Sequence, residues 1–125
     1  MSLFRVHMHL ARSPEFPEGS RVHGYEIVLP LTPSMQLDAK AWPEHARECA
    51  VRRFWQGEAT QQGLLRHSGH SWFVDYDLKS KGDEEPLFKL ENHKVQQGEY
   101  LSVTEQDGET RTFLITAVTP LAAKG

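Results

Sequence analysis

Two arms rich in β-branched and aromatic residues, 99–105 and 111–118, lie either side of Asp107-Gly108. The pattern predicts a β-hairpin, and the register of that hairpin decides which side chains share a face. A two-residue Asp107-Gly108 loop sets Leu101 opposite Leu114 and scatters apolar residues over both faces. A three-residue loop, Gln106 to Gly108 with Gly108 left-handed, sets Leu101 opposite Phe113 and adds Val103, Ile115 and Ala117 to the same face. Glycine takes positive φ without the clash that a Cβ brings, so the second register is expected. Its other face carries Tyr100, Ser102, Thr104, Thr112 and Thr116, with Leu114 the exception. A sheet with one apolar face covers a core on one side only.

The rest of the chain repeats this theme. Residues 3–10 alternate strictly, with Phe4, Val6, Met8 and Leu10 on one side and Arg5, His7 and His9 on the other, the mark of a half-buried strand. A loop over 13–20 leads to a second strand over 21–29, with Tyr25, Ile27 and Leu29 facing inward and Pro30 and Pro33 ending it. Residues 38–48 hold the helix candidate, with Asp38 as N-cap or with a later start at Pro43. Residues 49–56 read as a strand, with a continuation of the helix as the alternative. Residues 63–67 and 71–78 read as a second hairpin closed by Ser68-Gly69, with Trp72, Val74, Tyr76 and Leu78 on the apolar face. Lys79 to Glu85 reads as a charged surface loop ended by Pro86, and 87–91 as a short strand. Seven or eight short strands with frequent turns predict an all-β, mainly antiparallel domain. The expected form is a small barrel or barrel-like sandwich with about one α-helix, spanning 1–118, with 119–125 as a flexible C-terminal tail.

Composition narrows the function. With 14 basic and 17 acidic side chains, the formal net charge is −3, so general attraction to nucleic acid or to an anionic membrane is not expected. The single cysteine, Cys49, rules out an internal disulfide. No signal peptide pattern and no apolar run of membrane length occur, so a cytoplasmic setting is expected. P-loop, dinucleotide fingerprint, Cys-x-x-Cys, His-Glu-x-x-His and Gly-x-Ser-x-Gly patterns are all missing.

The seven histidines are the most suggestive residue type. His7 and His9 share a strand face, a spacing that suits two ligands of zinc, iron or copper, though a site needs a third. His23 falls on the opposite, apolar parity, and two solvated histidines are the plainer reading. His67 and His70 flank Ser68-Gly69 and would oppose each other across a two-residue turn. His45 and Cys49 are helix neighbours without the remaining parts of a thiol active site, so a small buried cysteine is expected. Asp75 and Asp77 fit a solvent face. The run Arg52-Arg53-Phe54-Trp55 interleaves cation and aromatic, as oligonucleotide-binding barrels do, or forms cation–π pairs at a core edge.

These readings combine into a binding or interaction module without catalytic activity, taking a protein or small-molecule ligand, with His7, His9, Arg53 and Trp55 on its ligand-facing surface. No cofactor is expected. A metal-dependent enzyme built on His7 and His9 with zinc or another transition metal is the alternative, and a single-stranded nucleic-acid binder the second. A homodimer is compatible with each.

Overall fold

The computed structural model describes residues 2–68, 71–76, 85–87, 90, 94–105 and 108–121. Among these, eight strands follow one another around a closed barrel: β1 (Ser2–Leu10), β2 (Ser20–Leu31), β3 (Ala50–Trp55), β4 (Gln61–Ser68), β5 (Ser71–Asp75), β6 (Glu85–Leu87), β7 (Tyr100–Thr104) and β8 (Thr110–Pro120). Every neighbouring pair is antiparallel, and β8 returns to β1 to close the ring. Closure removes the unpaired edges that an open sheet exposes. The one short helix described, α1 (Trp42–His45), starts at Trp42 with Pro43 in its first turn, so the helix is shorter than the 38–48 candidate.

Alternation makes the core. Val6, Met8 and Leu10 of β1, Tyr25, Ile27 and Leu29 of β2, and Leu101, Val103, Phe113 and Ile115 of the last hairpin are all buried inside the ring. Each such residue contributes about 1.5–3 kcal/mol by leaving water. The final hairpin adopts the register expected from glycine. Leu101 pairs with Phe113, the Glu105 amide donates to the Glu109 carbonyl, and Gly108 has φ +85°.

Several local expectations are corrected. Ala117 is exposed, not on the core face. A bulge between His7 and Met8 shifts the pairing from His7↔Ala117 to Met8↔Ile115, so Thr116 is an extra residue that reverses the parity beyond it. The Thr116 hydroxyl donates to the His7 carbonyl across this bulge. β2 runs through Pro30 to Leu31. The Pro30 carbonyl accepts the Asp38 amide on the side away from β1, so the amide proline lacks is not needed for the β1 ladder. The β4–β5 register pairs Ser68 with Ser71 and sets His67 opposite Trp72, not His70; His70, Asp77 and Leu78 lie outside the described residues. Glu85 is not a surface-loop residue. It opens β6 and is fully buried. β8 extends to Pro120, with Thr119 opposite Arg5 and Pro120 opposite Phe4.

The two ends of the barrel differ. At the base, the 32–49 segment covers the opening. Leu31 bridges Leu37, the Trp42 indole donates to the Leu65 carbonyl at 3.1 Å, and Cys49 is buried. Trp72 is stacked against His67 at 4.3 Å and meets Trp42 edge-on at 5.3 Å. At the other end, the mouth, the interior becomes polar.

Candidate functional site

β3 feeds two surfaces. Its even residues, Arg52 and Phe54, point outward, and its odd residues, Arg53 and Trp55, point into the mouth. The four residues that the sequence singles out are therefore split: Arg53 and Trp55 sit inside the rim, His7 and His9 on the outer wall.

The mouth is a network around Glu105. Its carboxylate accepts from Arg53 Nε at 3.1 Å and from Arg111 Nη1 at 2.9 Å. The Tyr25 hydroxyl lies 3.0 Å from Glu105 and 2.9 Å from Glu85, and the Tyr76 hydroxyl donates to Glu85. A phenol has one proton and cannot donate to both carboxylates at once. A proton on Glu85 resolves this: Tyr76 donates to Glu85, Glu85 to Tyr25, and Tyr25 to Glu105. Burial raises the Glu85 pKa in the required direction, against the pull of Tyr76, Tyr25 and Arg53 and with the charge of Glu105 adding to it. Burial likewise pushes both phenols above their ordinary range.

At the rim, Arg53 reaches Glu58 and Arg111 reaches Glu15, each at 3.1 Å. Both guanidiniums lie over Trp55, at 4.7 and 5.5 Å from its ring centre. His23 packs on the same indole at 4.0 Å and contacts Ser20. Burial, followed by the charge of Arg53, lowers the His23 pKa, with Glu105, Glu58 and Glu15 opposing. The arginines that an external anion would need are thus held by carboxylates, and the indole face that a cation would need is taken by those arginines. The mouth acts as a self-contained plug.

The outer wall of β1–β4 is built differently. A single register row crosses it: His7, Glu26, Arg52 and Gln62. Glu26 accepts from Arg52 Nε at 2.8 Å, and His7 Nδ1 lies 3.3 Å away from its other oxygen. Partial burial raises the Glu26 pKa, but the Arg52 and His7 hydrogen bonds and charges outweigh it and the net shift is downward. Above this row Phe54 stacks on His7 at 5.4 Å and lies under the Arg52 guanidinium. Its ring covers Gly24, where a Cβ would fall 2.8 Å from the ring and 2.1 Å from the Met8 carbonyl. Glycine is needed here so that β1 and the Phe54 ring can approach.

Two grooves meet at Arg52. One, of about 520 Å³, runs over Arg5, Val28, Ala50 and Leu64. The other, of about 320 Å³, is lined by Arg21, Val22, Phe54, Trp55, Gln56 and Thr60. Arg21 and Val22 stand out because β2 carries extra residues between its pairings with Leu10 and His9. This wall holds Arg5, Arg21, Arg52 and Arg66 against Glu26. Of these arginines, Arg5, Arg21 and Arg66 have no ion pair or hydrogen bond from their side chains among the described residues.

His9 shares the wall, with Nδ1 3.3 Å from the Leu10 carbonyl. His23 faces the barrel interior, on the other side of the sheet from His7 and His9. Among the described residues, no three histidine, cysteine or carboxylate side chains converge as a metal site. Cys49 is buried at the base, where burial and then the charge of Glu48 raise its thiol pKa to about 11. Tyr25, Glu85, Glu105 and Arg111 are mouth residues that the sequence reading does not single out. Their signal was parity: Glu105 continues the inward series Leu101, Val103, and Arg111 shares the parity of Phe113.

No family model matches the chain, and no curated protein and no solved structure matches it.

Proposed function

We propose that this chain is a binding or interaction module without catalytic activity, and that its ligand lies against the outer wall of β1–β4. The observation that carries this reading is the pair of grooves joined at Arg52 and flanked by arginines whose side chains have no ion pair or hydrogen bond among the described residues. An exposed cation held by nothing inside the protein can exchange water for a ligand at little cost. A cation such as Arg53, fixed by a buried carboxylate, cannot. His7 and His9 belong to the ligand-facing wall in this reading. Arg53 gives way there to its outward neighbour Arg52 and holds the barrel end instead, while Trp55, whose ring packs under the mouth arginines, also borders the groove beside Phe54.

The wall is basic although the chain is net acidic, which favours an anionic ligand by charge complementarity. Backbone amide shifts during titration with inorganic polyphosphate test the assignment. Shifts concentrated at residues 5–9, 21–28 and 50–54 are expected. Shifts confined to the mouth, or none up to millimolar probe, would remove the wall as the ligand surface.

A further inference from the structure

The wall offers more than positive charge. The groove lined by Phe54 combines a half-buried aromatic ring, the neutral hydrogen-bonding side chains Gln56 and Thr60, and the guanidiniums of Arg21 and Arg52 at its edges. The second groove continues past Arg52 to Arg5, with the apolar Val28, Ala50 and Leu64 along its floor and Gln62 beside it. Cations along both grooves fit an extended chain of anionic groups. A ring with adjacent amide and hydroxyl groups in one groove fits a flat heterocycle that stacks and offers polar edges.

We propose that the β1–β4 wall binds single-stranded nucleic acid, with the phosphodiester backbone following Arg21, Arg52 and Arg5 and one base taking the place on the Phe54 ring that the half-exposed Arg52 guanidinium leaves when it turns to a phosphate. This rests on the ligand surface assigned above and adds the chemical class. A single strand is favoured over a duplex because the aromatic contact requires an unstacked base. Among the described residues no helix lies on this wall to enter a major groove, since α1 has four residues and lies at the base. His7, already stacked on Phe54 at 5.4 Å, holds that ring in place from the β1 side. The eight-strand meander differs from the five-stranded oligonucleotide-binding barrel, so the inference comes from the wall's own residues and not from that fold.

The test uses the full chain with fluorescein-labelled oligo-dT and oligo-U of twelve nucleotides, inorganic polyphosphate, and vesicles containing anionic lipid. The two oligonucleotides share the chemistry, and their ratio shows whether a 2′-hydroxyl is read. Expected is binding of at least one oligonucleotide that weakens with salt. Three phosphate contacts give a slope of log K against log salt of about −2, and Arg5→Ala with Arg21→Ala reduces it by about 1.4. Phe54→Ala should weaken oligonucleotide binding roughly 5- to 150-fold, the range for loss of one stacked base, and leave polyphosphate binding within about twofold. Because Phe54 also covers Gly24, Phe54→Leu is the companion variant: it keeps the apolar cover and removes the aromatic face, and it should show the same selective loss with an unchanged circular dichroism spectrum.

Polyphosphate binding without oligonucleotide binding, or oligonucleotide affinity unaffected by Phe54→Leu, would overturn the nucleic-acid inference and leave the anionic ligand surface standing. Binding to vesicles in preference to both oligonucleotides would overturn it in favour of a lipid surface. Binding of no anionic probe would overturn both.

Discussion

Arg53 and Arg52 are neighbours in sequence and opposites in use. Arg53, 9% exposed, is locked to Glu105, which also holds Arg111 and meets Tyr25. Arg52 faces water with 43% of its side chain exposed and shares Glu26 with His7. The residue types are the same, and burial separates their roles. Inside the mouth, a carboxylate that leaves its arginines strands desolvated charge, so the network is fixed. On the wall, water screens the pair and fills any vacated position, so partners can change. A plug needs the first behaviour and a ligand surface the second.

The sharpest way to break this contrast is to remove one carboxylate from each side. Glu105→Ala should cost about 3–5 kcal/mol in unfolding free energy, because Arg53 and Arg111 lose their common buried partner. Glu26→Ala should cost less than about 1 kcal/mol. Denaturant titrations giving equal losses would dissolve the distinction between mouth and wall. Gly24→Ala attacks the wall from beneath. Its new Cβ would overlap the Met8 carbonyl, and relieving that contact by shifting β1 and the Phe54 ring should cost about 1–3 kcal/mol, read as a lowered melting temperature.

A smaller effect sharpens the comparison by sign. The Glu85 pKa is raised in the folded protein, so the folded state holds its proton more tightly than the unfolded chain does. Its contribution to stability is fully present below the ordinary carboxyl value of 4.5 and declines as pH rises from there through the folded pKa. The Glu26 pKa is lowered, so its contribution is present above 4.5 and is lost as pH falls through the folded pKa. Unfolding free energies measured between about pH 3 and pH 7 should show Glu85→Gln removing a downward slope above 4.5 and Glu26→Gln removing an upward slope below it. Slopes of the same sign in both variants would contradict the two environments.

What could be read from the residues followed from local geometry. The alternation of β1, the inward parity of Tyr25 and His23, and the Gly108 register depend on neighbours within a few positions, and the barrel class followed from them. The Ala117 reversal depends on Thr116 bulging against His7, a strand more than a hundred residues away in sequence, and nothing near 117 announces it. The mouth failed to show for a related reason. Glu85 reads as a loop charge, and although parity turns Arg53, Glu105 and Arg111 inward, only closure of the ring brings the four together. The wall was half legible: His7 and His9 were placed on it, but its charge depends on Arg5, Arg21 and Arg66 coming from three different strands.

Ring closure also sets an order of events. β1 needs both β2 and β8 for its backbone hydrogen bonds, and of the eight strands β8 leaves the ribosome last. Until then, the β8-facing edges of β1 and β7 stay open and Met8, Leu101 and Val103 lack the side chains of Phe113 and Ile115 that complete their packing. The nascent barrel therefore carries the sticky edge of β1 for most of its synthesis and that of β7 only briefly, and the last turn, built around Gly108, is the clasp that brings in the strand to cover them both.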